Sequence, residues 1–179
     1  MKHFVLQGRF NPELLERISD IWELVSSCGL NISLKEDFGW PHLSFTSSER
    51  EHGVSNFEQL REIAAVPITV SSLATWGGKS PMIFLGVTPT RELLELHRIL
   101  SEVVKAGGGA NNPLNSVSSF VPHISIFPRR DLPEVQRVFE TVVSEVELPL
   151  KGFITAIELV EYFPAKVLHE CLLAGSGEA

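Results

Sequence analysis

Cysteine is scarce: only Cys28 and Cys171 occur in 179 residues. Their spacing fits neither a zinc site nor a redox pair, so both read as buried free thiols and no disulfide framework is expected. Basic charge is also short, with 15 Lys and Arg against 22 Asp and Glu for a net charge of −7. Tight, sequence-independent binding of long duplex nucleic acid draws on several phosphate contacts from a basic face. That class of partner is set aside. A nucleotide, a short oligonucleotide or a terminal phosphate in a small local pocket is not. No apolar run approaches the roughly 20 residues of a membrane span. The stretch from Phe4 to Leu6 is too short for a signal peptide and runs straight into a strand-like pattern. The expectation is a cytoplasmic monomer with no membrane partner.

What is present is an ordinary apolar fraction of 44% against 21% charged residues, enough for one packed core. Asn11 followed by Pro12 and Glu13 predicts a helix start, and Leu14, Leu15, Ile18, Ile21, Trp22 and Val25 keep helical spacing up to Gly29. A second long helix is expected from Thr88-Pro89, with Leu93, Leu96, Leu100 and Val104 on one stripe, ending in Gly107-Gly108-Gly109. A third runs from Asp131 with Val135, Val138, Phe139, Val142 and Val146, and a shorter one from Ser55 to about Ala65. Strands are expected at His3 to Phe10, Ile32 to Leu34, His42 to Thr46, Ile68 to Thr75, Met82 to Val87, His123 to Phe127, Phe153 to Phe163 and Val167 to Leu173. The last two read as a hairpin.

One string occurs twice. Pro41-His42-Leu43-Ser44-Phe45 and Pro122-His123-Ile124-Ser125-Ile126 share the pattern Pro-His-aliphatic-Ser, 81 positions apart (123 − 42). On a strand, side chains two apart point the same way. His42 with Ser44 and His123 with Ser125 therefore each share a face, while Leu43, Phe45, Ile124 and Ile126 point to the core. The surroundings repeat as well: strand, long helix, motif, helix, strand, with 30 residues from helix start to histidine in the first half (12 to 42) and 34 in the second (89 to 123). This is an internal duplication. It predicts a pseudo-twofold α+β domain spanning 1–179, with two similar lobes at about 1–75 and 76–179. Helices cover one sheet face and leave the other as a groove.

Two imidazoles on one face suit metal-free phosphoester chemistry. Imidazole titrates near pH 6.5, so one ring can take a proton while the other gives one. The Ser44 and Ser125 hydroxyls can hold the non-bridging oxygens of a phosphate between them. Zinc is not expected: His3, His52, His97 and His169 have no ligand spacing to the motifs, and His97 lies on an apolar helix stripe. Neither serine has the Gly-x-Ser-x-Gly elbow of a nucleophile. Trp40 and Phe120 flank the motifs and could stack on a base. Trp76 adds an aromatic and Lys79 a cation to the 76–81 loop, and the 107–119 segment leads into the second motif as a lid or a plain loop.

These two His-x-Ser motifs, with Pro81-Met82-Ile83-Phe84-Leu85-Gly86-Val87 and the helix after it, resemble the two-histidine (2H) phosphoesterase superfamily, which includes the bacterial RNA 2′-5′ ligase and 2′,3′-cyclic phosphodiesterase group. The resemblance covers nearly the whole chain. It implies a bilobal fold, two antiparallel sheets forming a concave groove with helices on the outer faces. It implies hydrolysis of a 2′,3′-cyclic phosphate or 2′-5′ phosphodiester on a nucleotide or RNA end, without metal or cofactor. On that pattern His123 is the base and His42 the acid, with the reverse left open by the near-symmetry. Ser44 and Ser125 stand where the family more often has Thr, which keeps the hydroxyl and loses the methyl that stiffens χ1. Arg129 stands one place off the arginine that relatives carry after the second motif. A non-catalytic binder of nucleotides or RNA ends, and an RNA 2′-5′ ligase, are the competing readings.

Overall fold

The computed structural model describes residues 3–28, 34–48, 57–78, 81–107, 116–128, 131–162 and 164–177. Strand β1 (His3–Phe10) leads into helix α1 (Pro12–Ser27), and a short helix α2 (Leu34–Phe38) precedes β2 (Leu43–Ser48). A 3-10 turn (Phe57–Glu62) leads to β3 (Val66–Trp76) and β4 (Met82–Val87). Helix α3 (Arg91–Ala106), β5 (His123–Phe127), helix α4 (Leu132–Glu145), β6 (Leu150–Tyr162) and β7 (Lys166–Leu172) complete the chain.

The helices form where the apolar stripes place them, and their ends show why. Pro12 occupies the first turn of α1, but the Asn11 side chain does not cap it. Asn11 Oδ1 instead accepts from the Phe153 amide at 2.8 Å, tying the helix start to β6. In α3 the cap is Thr90, whose hydroxyl accepts from the Leu93 amide at 3.2 Å, so the helix begins just after the expected Thr88-Pro89. Two expectations change. Of the strand expected over Ile32 to Leu34, residues 32–33 lie outside the described residues and Leu34 opens α2; Gly39, at φ +76°, closes that helix with its amide on the Lys35 carbonyl at 2.9 Å. The helix expected over Ser55 to Ala65 is a 3-10 turn where described, and burying Phe57 and Leu60 three residues apart suits its three-residue repeat. Cys171 is buried as expected, whereas Cys28 is partly exposed; both are free.

The sheet is antiparallel with the order β2-β1-β6-β3-β4-β5, and β7 adds to β6. Exchanging the halves turns β1 into β4, β2 into β5 and β3 into β6, and the order then reads the same backwards. The pseudo-twofold predicted by the repeat is thus built into the sheet. The two half-sheets are joined through β6, which pairs with β3 over Leu150 to Ile154 and with β1 and β7 beyond. The strands β2 and β5, at opposite ends of this order, also run against each other. Both carry an extra residue at the same point. The ladder skips Phe45 after Ser44 and Ile126 after Ser125. These matched bulges turn Thr46 and Phe127 inward as well, and both are fully buried.

The helices cross between halves. Helix α1, from the first half, packs on β5 and α4 of the second; α3, from the second, packs on β2 and β3 of the first. One contiguous core fills the space between helices and sheet, with Leu14, Ile18, Trp22, Leu96, Leu100, Leu43, Phe45, Ile124 and Ile126 almost wholly excluded from water. Among the described residues no helix is long and apolar enough to cross a membrane.

Candidate active site

Both motif histidines are held in the same way. Nδ1 of His42 lies 2.8 Å from the Trp40 carbonyl, and Nδ1 of His123 lies 2.7 Å from the Val121 carbonyl. A carbonyl can only accept, so each Nδ1 carries the proton and donates it. In the neutral ring Nε2 is then the free lone pair, the atom an acid–base role uses. The motif prolines sit between each histidine and its carbonyl. Pro41 and Pro122 lack an amide hydrogen and hold φ fixed, which leaves the preceding carbonyl turned toward the ring.

His42 feels the field of His123, the last among the causes that set its pKa. Burial is the largest cause and takes His42 to about 4, against the upward pull of the Trp40 carbonyl. Burial lowers His123 too, opposed by its bond to Val121. At neutral pH both rings are therefore uncharged in the empty site. A bound anion would raise both.

The serines stand where alternation puts them, half-buried, with Ser44 across from Gln7 and Ser125 across from Phe84. The carbonyl of Ser125 accepts from the Trp22 indole of α1 at 3.1 Å, so the first half's helix steadies the second half's motif. Arg129, Lys79 and residues 108–115 of the loop lie outside the described residues. Phe120 is packing: its ring stacks on His97 at 3.8 Å and on Phe45 at 6.0 Å. Trp40 is partly exposed, but its indole N–H is committed to Glu158 at 3.0 Å.

The walls of the site differ. Beside His123 they are aromatic: Phe84 and Trp76 present edges to the ring at 5.2 and 5.7 Å and stack on each other at 4.8 Å. Beside His42 they are polar. Glu158 on β6 accepts from Gln7 Nε2 at 3.1 Å and from Arg9 at 3.4 Å as well as from Trp40, and Arg9 also pairs with Glu170 on β7. The Tyr162 hydroxyl donates to Gln7 Oε1 at 2.9 Å, and its ring lies 6.1 Å from His42. From sequence, Trp76 is the aromatic of the 76–81 loop, where the structure ends β3 on it, and Phe84 is only part of the 81–87 strand; none of Gln7, Arg9, Glu158 or Tyr162 was singled out. The available signal was Glu158 inside the apolar run from Ile154 to Val160, since a charge there is costly unless partnered. Among the described residues no three His, Cys, Asp or Glu side chains gather as a metal ion would need.

The family model described as the 2′-5′ RNA ligase superfamily matches residues 35–163, which takes in both motifs. The chain belongs to this superfamily. Solved structures agree on the fold. TT0787 of Thermus thermophilus superposes with a TM-score of 0.65 at 15% identity, covering 97% of this chain and 98% of that one. Escherichia coli LigT in its apo form gives 0.59 at 17% identity over the same shares. E. coli LigT complexed with 3′-AMP gives 0.55 at 16%, covering 96% and 98%. No match emerges among curated protein sequences. At such identities the structural likeness is one of fold. The superfamily's members are phosphoesterases and ligases, and this chain carries their paired motif with serine in both places.

Proposed function

We propose that this protein is a metal-independent phosphoesterase that opens a 2′,3′-cyclic phosphate or a 2′-5′ phosphodiester at a nucleotide or RNA end. The observation that carries this reading is the twin tethering of His42 and His123, each by Nδ1 to the carbonyl two residues before it, leaving two free Nε2 atoms. The phosphate sits between the motif strands, with Ser44 and Ser125 donating to its non-bridging oxygens and Arg129 adding charge. One Nε2 takes the proton of the attacking water, and the other protonates the leaving ribose oxygen. Each such transfer contributes about 10²–10⁴ in rate. Both rings are uncharged in the empty site, so either can take the first proton, and the bound anion raises the other toward the charged form an acid needs; the resemblance assigns His123 as base and His42 as acid. The ligand size fits relatives: E. coli LigT has been solved with 3′-AMP and with phosphate.

The test is a panel of cyclic mononucleotide, cyclic-phosphate RNA end, ADP-ribose cyclic phosphate and 2′-5′ oligoadenylate, run with chelator. Turnover should persist with chelator and fall by about 10²–10⁴ in His42→Ala and in His123→Ala separately. Wild-type turnover in either variant would overturn the acid–base pair. Saturable nucleotide binding with no product from any substrate would mark a binding protein instead, and joining of paired tRNA halves would mark a ligase.

A further inference from the structure

The pseudo-twofold is broken at one place beside the histidines. The residue two before His42 is Trp40; the residue two before His123 is Val121, whose side chain is 45% exposed. Trp40 is itself held. Its indole nitrogen donates to Glu158 Oε2 at 3.0 Å, while its backbone carbonyl accepts from His42 Nδ1 at 2.8 Å. The same carboxylate oxygen takes Gln7 Nε2 at 3.1 Å, and the other oxygen faces Arg9 at 3.4 Å. Gln7 in turn is fixed by the Tyr162 hydroxyl at 2.9 Å. Glu158 is 1% exposed, so its partners, and not water, satisfy it. Under the exchange of halves the strand positions of Gln7 and Glu158 become Phe84 and Ala74, paired across β4 and β3 as Gln7 and Glu158 are across β1 and β6. No such chain of hydrogen bonds is possible there.

We infer that Glu158 is a positioning residue for His42: its buried carboxylate clamps the Trp40 indole, and the Trp40 carbonyl so fixed aims the His42 ring, a device His123 lacks. The inference rests on the reading of His42 as an acid–base group. The two imidazoles are then unequal by construction. The carbonyl that holds His42 is itself fixed from behind, whereas His123 is held by the carbonyl of the exposed Val121 and flanked by Trp76 and Phe84. A fixed ring suits the partner that must align a water or a leaving oxygen along one line, where a misplacement of about 1 Å costs about a hundredfold. The charged and titratable groups facing Glu158 are Arg9 on β1, Glu170 on β7 and Tyr162 on β6. Burial raises the Glu158 pKa while Gln7, Arg9 and Trp40 oppose that rise.

The experiment pairs imidazole ¹H–¹⁵N spectra with kinetics on the full chain. Trp40→Phe keeps an aromatic ring and removes the N–H; Glu158→Ala removes the clamp; Glu158→Gln keeps an oxygen for the indole. Trp40→Phe and Glu158→Ala should convert His42 from a single Nδ1–H tautomer to a mixture and shift its titration, leaving His123 unmoved. In these two variants kcat should fall about ten- to a hundredfold with KM nearly unchanged, and Glu158→Gln should recover most of the loss. Glu170→Gln, which touches only the outer partner of Arg9, should match wild type. A Trp40→Phe variant with wild-type His42 spectra would overturn the inference, as would equal disturbance of both histidines. The spectra decide this even if no substrate of the panel is turned over, an outcome that would sink the proposed function alone.

Discussion

His42 carries the largest consequence of any one side chain. Its folded-state pKa of about 4 lies below the ordinary 6.5, so between those values the unfolded chain binds the proton more readily. The stability contribution is complete above about pH 6.5 and drains away as pH falls toward 4. Glu158 runs the other way: raised by burial, it favours the fold most at low pH and loses that contribution as pH rises through its folded value. Comparing wild type with His42→Gln isolates the first effect. By urea denaturation at pH 7.5 and 4.5, wild type should lose as much as about 3 kcal/mol more than the variant on acidification. An equal loss in both would show that the ring is solvated. At this scale the histidines were legible because a five-residue string recurs; one copy alone would have said little. The Glu158 network was not legible, because Gln7 and Glu158 stand 151 residues apart and meet only when β1 pairs with β6.

Among the elements, strict alternation correctly sends Leu43, Phe45, Ile124 and Ile126 to the core. Carried two residues further, it would have put Thr46 and Phe127 in the groove beside the serines. The matched bulges prevent this, and nothing local in Ser-Phe-Thr or Ser-Ile-Phe announces them. Ile-Ser-Leu before the first motif has strand-like alternation, yet Leu34 starts a helix because Gly39 supplies the left-handed residue that ends one. A tight joint between layers lies at Gly152 on β6. A methyl group there would lie 2.5 Å from Asn11 Oδ1 and 2.6 Å from Leu14 Cβ, at the start of α1. Neither atom can withdraw cheaply, since Asn11 is bonded to Phe153 and Leu14 is 1% exposed. Gly152→Ala should therefore cost about 1–3 kcal/mol, seen as a lower thermal midpoint. An unchanged midpoint would mean α1 lifts off β6 freely.

For the molecule as a whole, the repeat foretold a pseudo-twofold but neither the strand order that realises it nor which half each piece would serve. The boundary near residue 75 divides the chain by sequence; the structure shares its parts across that line. β6 belongs to 76–179 yet forms the ladder to β1, and α1 props β5. On that sharing we propose a single domain over 1–179. Fragments 1–75 and 76–179 should each lack dispersed amide spectra alone and regain them when mixed or co-expressed. A folded isolated fragment would count against the single domain.

The seam between the half-sheets is short: five residue pairs, from Val66 with Ile154 to Val70 with Leu150. It is the joint of a caliper whose arms are the two half-sheets, one carrying His42 and the other His123. Substitutions along it, remote from either ring, should therefore shift the imidazole resonances of both histidines together by changing the local twist.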